Sequence, residues 1–398
     1  MRLLICAGGT GGGVYPALAV LQALGQRDQD KSGGDDEFVV LSKTQIQTPS
    51  DQQFLWIGGI GGMEIDLVKR EGIPFEPIPA AGLHGVGLRS VPGNLVQLWR
   101  GYKASRRIIR RYKPDVMFFT GGYVAVPVAL AGRVPMPGMR RPRSLLYVPD
   151  IEPGLALKTL SRIADCIAVS VDDSKAYLPA NADVVVSGYP TRSSLKQWNT
   201  DEAREVMGLS PEYPTLLVLG GSRGARSINQ ALINVLPEFL SAMQVIHVSG
   251  QLDWTEVEQA RADLMNRLGP DRAGRYRPFP YLHEELGAAL TIADLVLSRA
   301  GASTLGEYPL FGLPAILVPY PYAWRYQQVN AKYLESRGAA LIIQDDELPD
   351  RLLPEVRRLM IDRRELEKMR SAMGAMATPQ AASVIASQIS NLAPRSRR

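Results

Sequence analysis

Cysteine and histidine are both scarce in this 398-residue sequence, which contains two cysteines and three histidines. Two cysteines are too few for a disulfide scaffold or a cysteine-rich metal cluster. Cys6 and Cys166 each lie within an apolar run, so we expect both to be buried thiols. No two of His84, His247 and His283 have metal-ligand spacing, and we expect ordinary loop or strand positions for them. The sequence therefore predicts no zinc site, no other metal and no cofactor.

Long hydrophobic runs are also missing. No apolar stretch approaches the roughly 20 residues that a membrane-spanning helix requires, and the run before Gly8 is too short for a signal peptide. The net charge is only +5, with 45% hydrophobic and 21% charged residues. That composition provides enough apolar material for full cores and too little charge for disorder. We expect a cytosolic protein, or one that is at most peripheral to a membrane.

Short apolar strands alternate with helical stretches along most of the chain, which is typical of an α/β protein with parallel sheets. The strand candidates are Leu3–Ala7, Phe54–Ile57, Val116–Thr120, Leu145–Val148, Cys166–Ser170, Val184–Ser187, Leu216–Leu219, Val245–Val248, Leu295–Ser298, Ile316–Pro319 and Leu341–Ile343. This length fits two or three domains of about 150 residues. The pattern predicts two doubly wound, Rossmann-like domains with a cleft between them.

Composition shifts along the chain suggest where those domains begin and end. We expect an N-terminal domain over residues 1–191 that carries a polar insertion at about 27–53. A charged, proline-containing linker follows over 192–212. The C-terminal domain then covers 213–375, and a C-terminal helix with a basic tail covers 376–398.

The first strand candidate leads directly into the glycine-rich turn Gly8–Gly13 and then into a helical stretch. Glycines let a backbone approach a ligand closely, and the helix N-terminus behind them favours negative charge. The spacing does not fit the dinucleotide-binding fingerprint, because the third glycine position counted from Gly9 is Val14. No Gly-Lys-Ser/Thr follows, which excludes a Walker loop. A purely steric use of glycine in a tight turn is equally consistent with this segment.

Two similar turns occur in the second half. Gly220–Arg226 follows a strand, and the Ser222 hydroxyl with the loop amides could hold a phosphate. Ser298–Glu307 also joins a strand to a helix start, and Glu307 could accept hydrogen bonds from a vicinal diol such as a ribose. That glutamate could equally serve only to favour the helix N-terminus. Three glycine-lined strand ends predict a nucleoside-diphosphate ligand at the carboxyl ends of the strands.

Seven segments in order carry a resemblance to a known family: GGTGGGVYPALAV, MEIDLV, KPDVMFFTGGYVAVP, SGYPTR, GGSRGARSIN, SRAGASTLGE and QQVNA. They resemble the MurG-type enzymes of glycosyltransferase family 28, over nearly the whole chain apart from the insertion and the tail. The resemblance implies a GT-B fold and an inverting, metal-independent transfer of N-acetylglucosamine from UDP-N-acetylglucosamine. It also implies a muramyl-pentapeptide pyrophosphoryl-undecaprenol acceptor, at the inner face of the cytoplasmic membrane.

The same resemblance implies donor-binding residues, mostly in the second half. Ser222 would meet the donor phosphates, Glu307 the ribose and the Leu282 backbone the uracil, while Gln327 and Asn330 would address the donor sugar. The full set that the resemblance implies is Arg192, Gly221, Ser222, Gly224, Leu282, Arg299, Gly301, Ala302, Ser303, Thr304, Glu307, Gln327 and Asn330. On the acceptor side it implies Thr10, Gly11, Gly12, Gly13, Gly121, Gly122 and Tyr123.

The sequence departs from the family pattern where catalysis is expected. Gly13 stands where the family has the histidine proposed as its general base, and the segment from Tyr147 to Asp150 replaces a His-Glu-Gln-Asn stretch. Tyr189 and Tyr326 replace a family asparagine and a family histidine. These changes all fall on the acceptor side or beside the donor sugar.

Inverting transfer requires a base that takes the proton of the acceptor hydroxyl as this hydroxyl attacks an oxocarbenium-like carbon. Gly13 cannot do so. Asp150 and Glu152 are carboxylates just after a strand, and we hypothesise that Asp150 is the base, with Glu152 as the second candidate. Alternatively, Asp150 only caps a turn before Pro153.

Residues 95–113 carry seven lysines and arginines and no acid, with Leu95, Leu98, Tyr102 and Ile109 at helical spacing. The apolar face is most simply a core face. The basic face would suit an anionic membrane surface, with the apolar loop 82–88 beside it, or it is simply solvated. Nothing resembles a nucleic-acid-binding module, so we expect no nucleic-acid partner.

Four functions remain open on sequence grounds. The first is a membrane-associated, MurG-type transferase, and the second keeps the fold and donor but uses another lipid or glycan acceptor. The third is a UDP-sugar 2-epimerase, because fold does not fix function, although epimerases do not need a basic membrane face. The fourth is a UDP-sugar-binding pseudoenzyme, for which Gly13 is the motive.

Overall fold

The computed structural model describes residues 1–8, 11–32, 53–62, 64–80, 91–221, 224–321 and 326–394. The chain divides into two compact units. Unit 1 comprises Met1–Arg192 and Pro379–Arg398, and unit 2 comprises Ser193–Thr378. Most of the expected insertion and the whole of the 82–88 loop lie outside the described residues. No helix in the described ranges is long and apolar enough to cross a membrane.

Unit 1 is built on a seven-stranded sheet whose paired strands are all parallel. Its strands are β1 (Arg2–Cys6), β2 (Gln53–Gly59), β3 (Phe75–Ile78), β4 (Val116–Phe119), β5 (Arg143–Val148), β6 (Cys166–Val169) and β7 (Val184–Val186). They lie in the order β3-β2-β1-β4-β5-β6-β7. The helices between them are α1 (Gly11–Ser32), α2 (Glu64–Arg70), α3 (Val91–Tyr112), α4 (Ala125–Arg133) and α5 (Leu155–Ser161).

Unit 2 repeats this construction with six strands in the order β10-β9-β8-β11-β12-β13. Its strands are β8 (Thr215–Leu219), β9 (Gln244–Val248), β10 (Tyr276–Phe279), β11 (Leu295–Ser298), β12 (Ala315–Leu317) and β13 (Ala340–Ile342). Its helices are α6 (Thr200–Met207), α7 (Arg226–Phe239), α8 (Trp254–Ala273), α9 (Glu285–Ile292), α10 (Glu307–Phe311), α11 (Tyr326–Glu335), α12 (Leu348–Ile361) and α13 (Arg363–Gly374).

The chain then returns to unit 1 as α14 (Ala381–Leu392), which packs against α1, β4 and β5. Ile385 and Ile389 on this helix are fully buried. The expected C-terminal helix is therefore present, and its contacts belong to the first unit rather than to the unit that precedes it in sequence.

The central strands are buried on both faces, which is why their sequences are continuous apolar runs instead of alternating patterns. The expectation of two doubly wound parallel α/β domains is confirmed. Two strands escaped the sequence analysis, β3 and β10, and both contain a proline, Pro77 and Pro278. Each is an edge strand of its sheet. A proline is tolerated there because its nitrogen, which has no hydrogen to donate, can face the side without a neighbouring strand.

In both sheets the chain reverses its direction of winding between two central neighbours. These switch points lie between β1 and β4 in unit 1 and between β8 and β11 in unit 2. Ligands of open α/β sheets bind at the carboxyl ends of the strands that flank such a point. The glycine-rich turns identified in the sequence follow these strands.

Candidate donor and acceptor sites

The two glycine turns of unit 1 pack directly on each other. Gly122 has a φ of +85°, and a Cβ at this position would lie 2.6 Å from the carbonyl oxygen of Gly8. The Thr120 hydroxyl donates a hydrogen bond of 2.6 Å to the carbonyl of Gly13. Only glycine fits the close approach at Gly122, because any side chain would collide with fixed backbone. The switch point therefore brings the turn after β1 against the turn after β4.

The structure places most of the predicted acceptor residues at these two turns. Gly11, Gly12 and Gly13 are the first three residues of α1. Gly121 has a φ of +125°, and Tyr123 beside it is half exposed, at 48%. Thr10 lies outside the described residues. Their contacts with an acceptor remain predictions.

Gly13 leaves little room for a side chain. A Cβ there would lie 3.3 Å from Thr120 Oγ1 and 3.6 Å from the Thr120 carbonyl oxygen. A Cβ at this position would therefore require the Thr120 hydroxyl to shift by a few tenths of an ångström. This hydroxyl was not selected from the sequence, although it stands inside the quoted segment KPDVMFFTGGYVAVP.

Asp150 and Glu152 follow β5, the strand beside β4. Lys158 on α5 forms an ion pair of 2.9 Å with Glu152, whose side chain is 13% exposed. The Tyr147 hydroxyl lies 2.7 Å from Ser170 Oγ. Burial raises the pKa of Tyr147 well above its usual value, and the charge of Asp150 adds to this rise. The two carboxylates therefore follow the strand that neighbours β4, and the assignment of Asp150 as base stays a prediction.

Arg192 ends the first part of unit 1. Its guanidinium stacks on the Tyr15 ring, with Cζ 4.2 Å from the ring centroid. The Arg192 Nε atom is buried and has no hydrogen-bond partner in the described structure. Since Tyr15 lies in the first turn and a half of α1, the stack holds this cation next to the first glycine turn.

Glu64, the first residue of α2, was missed by the sequence analysis. It is only 2% exposed, and its Oε1 accepts a hydrogen bond of 2.9 Å from the Gly59 amide. Its Oε2 is buried without a partner in the described ranges. A Cβ on Gly8, Gly58 or Gly62 would approach this carboxyl group within 3 Å. The carboxyl group therefore occupies a space that is left open because these three positions are glycine. In the sequence, only its place in the segment MEIDLV indicated that Glu64 matters.

In unit 2 the turn between β8 and α7 contains two glycines with positive φ, Gly221 at +78° and Gly224 at +84°. A Cβ on Gly224 would lie 2.4 Å from the Ser249 carbonyl oxygen, whereas a Cβ on Gly221 would meet nothing within 4 Å. Of these two glycines, Gly224 is thus packed against the backbone after β9, whereas no described atom restricts a Cβ on Gly221. Ser222 lies outside the described residues.

The turn after β11 is held by its own side chains. The Thr304 hydroxyl donates to the Gly301 carbonyl at 2.7 Å, and Tyr308 donates to Ser298 at 2.7 Å. Ala302–Leu305 forms a short 3-10 helix that includes Ser303. Glu307 begins α10 directly behind it. Gly301, like Gly221, has open space where a Cβ would be.

The remaining donor-side residues lie on α11 and in the loop after β10. Asn330 is fully buried and donates from Nδ2 to the Ala300 carbonyl at 3.1 Å. Gln327 accepts a hydrogen bond of 2.9 Å from the Tyr320 amide. Leu282 is buried in the loop after β10, at 7% exposure. The structure gives Asn330 a supporting contact to the turn, and the sugar contacts of Gln327 and Asn330 remain predictions.

Arg299 directs its guanidinium at protein acceptors. Its terminal nitrogens donate to Asp345, to Ser227 Oγ at 2.7 Å and to the Val318 carbonyl at 3.2 Å. The Arg299 side chain is 12% exposed. Ser227 and Asp345 were not selected from the sequence, because no local pattern indicates that such distant positions meet.

The basic helix α3 has two different halves. Ile109 is buried, as expected for the core face, but the expectation is wrong for Leu95, which is 53% exposed. Val96 and Trp99 beside it are also about half exposed, at 48% and 56%. Near the exposed end, Lys103 lies 3.6 Å from the Trp99 ring centroid. The first half of α3 therefore presents apolar side chains together with cationic ones.

His247 and the two cysteines are buried among structural side chains, whereas His283 is an exposed loop residue. His247 is buried, with Nδ1 2.7 Å from the Tyr276 hydroxyl and Nε2 2.9 Å from Asn229 Oδ1. Burial lowers the pKa of His247 to about 3. Cys6 and Cys166 are buried thiols, as predicted, and burial raises the pKa of Cys166 to about 11. Among the described residues, no group of three or more histidine, cysteine or acidic side chains is placed to hold a metal ion.

Family comparisons agree with the division of the chain into two units. The model of the glycosyltransferase family 28 N-terminal domain matches residues 41–169, and that of the family 28 C-terminal domain matches residues 215–386. A UDP-N-acetylglucosamine--N-acetylmuramyl-(pentapeptide) pyrophosphoryl-undecaprenol N-acetylglucosamine transferase of Roseiflexus sp. (strain RS-1) is 38% identical, with 99% of this chain and 96% of that protein covered. A protein of the same description from Desulforudis audaxviator is 37% identical over the full length of both.

Solved structures show the same fold. A crystal structure of Acinetobacter baumannii MurG matches with a TM-score of 0.69 at 26% identity, covering 98% of this chain and 99% of that one. A UDP-GlcNAc 2-epimerase of Neisseria meningitidis matches with a TM-score of 0.63 at 11% identity, covering 98% and 100%. At that identity the second likeness concerns the fold alone.

Proposed function

Because this chain belongs to glycosyltransferase family 28, we propose that it transfers N-acetylglucosamine from UDP-N-acetylglucosamine to the muramyl-pentapeptide pyrophosphoryl-undecaprenol lipid. The observation that carries this proposal is the full-length similarity to transferases described by that reaction, at 38% and 37% identity. The glycine turns at both switch points supply the backbone amides that diphosphate groups need. The reaction would provide the disaccharide precursor of peptidoglycan.

Unit 2 would hold the donor. The turns after β8 and β11 flank its switch point, and both have an open glycine, Gly221 and Gly301. Backbone amides there would meet the UDP phosphates, and Glu307 at the start of α10 would accept hydrogen bonds from the ribose hydroxyls. The phosphate charge is stabilised as the sugar leaves, which is the main catalytic contribution that fixed amides can make.

Unit 1 would hold the acceptor. The turns after β1 and β4 lie together, and the acceptor diphosphate would lie against the helix start at Gly11–Gly13. The positive end of α1 favours this anion. Tyr123, half exposed beside Gly122, would border the same site.

Asp150 would take the proton of the attacking hydroxyl. The anomeric carbon passes through an oxocarbenium-like state, so the incoming oxygen must lose its proton as the new bond forms. Glu152 is held in an ion pair by Lys158, which makes it less available for this role. Gly13 carries no group that could accept a proton.

The exposed half of α3 would bind the membrane. Its apolar side chains Leu95, Val96 and Trp99 lie on the same helix as six arginines and lysines from Arg100 to Arg111. Apolar groups that enter the headgroup region, together with basic groups that meet anionic lipid, give reversible peripheral binding. The acceptor is a lipid, so this surface would bring the enzyme to the membrane that contains it, on its cytoplasmic side.

A different acceptor is the second candidate, and the absence of a histidine at Gly13 favours it. The deciding experiment incubates purified protein with radiolabelled UDP-N-acetylglucosamine, the synthetic muramyl-pentapeptide lipid and anionic micelles, and measures label in the lipid phase. Transfer that Glu307→Ala abolishes would support the first candidate. Binding of UDP-N-acetylglucosamine by calorimetry without any transfer would favour another acceptor or a pseudoenzyme.

A further inference from the structure

We propose that Asp345 and Ser227 are positioning residues that act through Arg299 to hold the two donor-phosphate turns of unit 2 in register. The proposal rests on the proposed function in its choice of UDP-N-acetylglucosamine as the ligand. Neither Asp345 nor Ser227 belongs to the set that the family resemblance implies. Their role follows from what the Arg299 guanidinium connects.

Four strand ends meet at this guanidinium. Arg299 directly follows β11, and Val318, whose carbonyl it binds at 3.2 Å, directly follows β12. Ser227 is the second residue of α7, just beyond the turn that follows β8. Asp345 opens the short 3-10 helix after β13. Since β8, β11, β12 and β13 are consecutive neighbours in the sheet, one side chain ties together their carboxyl ends.

The three side chains also bind one another in a closed set. Arg299 donates to Ser227 Oγ at 2.7 Å and to Asp345 Oδ1, and the Ser227 hydroxyl donates to the same Asp345 oxygen at 2.7 Å. Asp345 is 25% exposed and Arg299 12% exposed at the side chain. A planar guanidinium fixes the direction of each bond, which a lysine in its place would not do. Removing the carboxylate would leave a largely buried cation without its counter-ion.

Movement of this cluster would reach the donor phosphates through the backbone. The Arg299 carbonyl accepts from the Ser298 hydroxyl at 2.9 Å, and the neighbouring Ala300 carbonyl accepts from Asn330. On the other side, Ser227 is joined through Arg226 to Ala225, the residue at which the Gly220–Ala225 turn ends. Amides that stabilise an anion must be held in place before the ligand arrives. The β8–β11 ladder joins the strands that lead into the two turns, and the cluster adds a side-chain connection just beyond the end of that ladder.

The test compares Asp345→Asn with Asp346→Asn. Asp346 is the adjacent residue, is exposed and belongs to the same 3-10 helix, so it controls for loss of one negative charge in this place. We expect Asp345→Asn to raise the KM for UDP-N-acetylglucosamine about tenfold and to weaken its binding in calorimetry by a similar factor, with the acceptor KM unchanged. We expect Asp346→Asn to change neither value.

Ser227→Ala is the milder second variant, in case Asp345→Asn folds poorly. It removes one hydroxyl and keeps the ion pair, so we expect the donor KM to rise by about threefold to fivefold. A fall in melting temperature with an unchanged donor KM in both Asp345→Asn and Ser227→Ala would mean a merely structural role and would overturn the proposal. Equal effects of the changes at Asp345 and Asp346 would also overturn it.

The same measurements separate this proposal from the proposed function. Donor affinity is measured by calorimetry on the full chain without any acceptor. If the wild-type protein binds UDP-N-acetylglucosamine but transfers no sugar, the proposed acceptor fails, and the comparison of Asp345→Asn with Asp346→Asn still decides the positioning role. If the wild-type protein does not bind UDP-N-acetylglucosamine, both proposals are overturned.

Discussion

The guanidinium of Arg192 lies over the ring of Tyr15, with Cζ 4.2 Å from the ring centroid. This stack connects the last residue of the first part of unit 1 with the helix that starts at the first glycine turn. Arg192 is expected near the donor diphosphate, whereas the turn before Tyr15 is expected under the acceptor diphosphate. The cation–π contact therefore fixes the position of the Arg192 guanidinium relative to the first glycine turn.

Replacement of Tyr15 should change donor binding. A cation–π contact contributes about 0.5–2 kcal/mol, so we expect Tyr15→Leu to raise the KM for UDP-N-acetylglucosamine by about twofold to thirtyfold. Tyr15→Phe keeps the aromatic face and should leave this KM close to the wild-type value. Steady-state kinetics with varied donor would measure both. Equal donor KM values for the leucine variant and the wild type would contradict the prediction.

Asp150→Asn should abolish proton transfer and leave donor binding intact. General base catalysis contributes about 10²–10⁴-fold, and we expect kcat to fall by a factor in this range. Calorimetry with UDP-N-acetylglucosamine should show unchanged affinity. Glu152→Gln is the matched comparison, because that carboxylate is already paired with Lys158. Full turnover by the Asp150→Asn protein would refute the assignment of the base.

Replacing the exposed apolar residues of α3 should weaken membrane binding. We expect the double variant Leu95→Ser/Trp99→Ser to bind phosphatidylglycerol-containing vesicles at least about tenfold more weakly in co-sedimentation. Leu130→Ser, an exposed leucine on α4 of the same unit, is the control and should bind normally. Vesicles of phosphatidylcholine alone should bind the wild-type protein weakly. Similar binding to both kinds of vesicle would show that the basic residues do not contribute.

Glu64→Gln should stabilise unit 1 or leave its stability unchanged. The buried Oε2 has no hydrogen-bond partner within the described ranges, and burial of a side chain costs more when it is a carboxylate than when it is a neutral amide. The Oε1 bond to Gly59 survives in the glutamine. We expect a melting temperature raised by about 2–4 °C for each 1 kcal/mol gained, measured by calorimetry. Asp66→Asn, exposed on the same helix, should have no effect, and a marked loss of stability in Glu64→Gln would contradict this account.

Unit 2 should lose stability as the pH falls because of His247. Burial lowers the pKa of His247 from 6.5 to about 3. Between about pH 6.5 and 3, the imidazole is therefore protonated in the unfolded chain but not in the folded unit. The free energy of unfolding of unit 2 is therefore unaffected by this titration above pH 6.5 and decreases as the pH falls from 6.5 toward 3. His247→Gln should flatten the dependence of the free energy of unfolding on pH between these limits. Denaturant titrations at several pH values would measure the slopes, and parallel slopes would exclude the role of His247.

The fold was predictable because the strands of a parallel sheet are buried on both faces and therefore have continuous apolar sequences. The strands β3 and β10 were missed for a local reason, since Pro77 and Pro278 weaken the pattern and are tolerated only at an edge. The glycine turns were predictable because close backbone approach requires glycine, as at Gly122.

The supporting side chains were not predictable in the same way. Asp345 meets Arg299 across 46 residues of sequence, and no local pattern encodes such a pairing. In sequence, Glu64 is an acidic residue in the first turn of a helix, where such residues are common. Only the burial of its carboxyl group in the structure distinguishes it from them. The exposure of Trp99 was also not predictable, because apolar residues recur at helical spacing in both halves of α3. Only the structure shows which half of the helix is buried.

The return of α14 to unit 1 has a consequence for synthesis on the ribosome. Unit 1 lacks α14 until the residues after Pro379 have left the ribosome, although its residues up to Arg192 are synthesised before unit 2 begins. The surface of α1, β4 and β5 that α14 will cover therefore lacks this helix while all of unit 2 is translated. Unit 2 is continuous in sequence, so all of its residues have been synthesised before the last helix of unit 1 has.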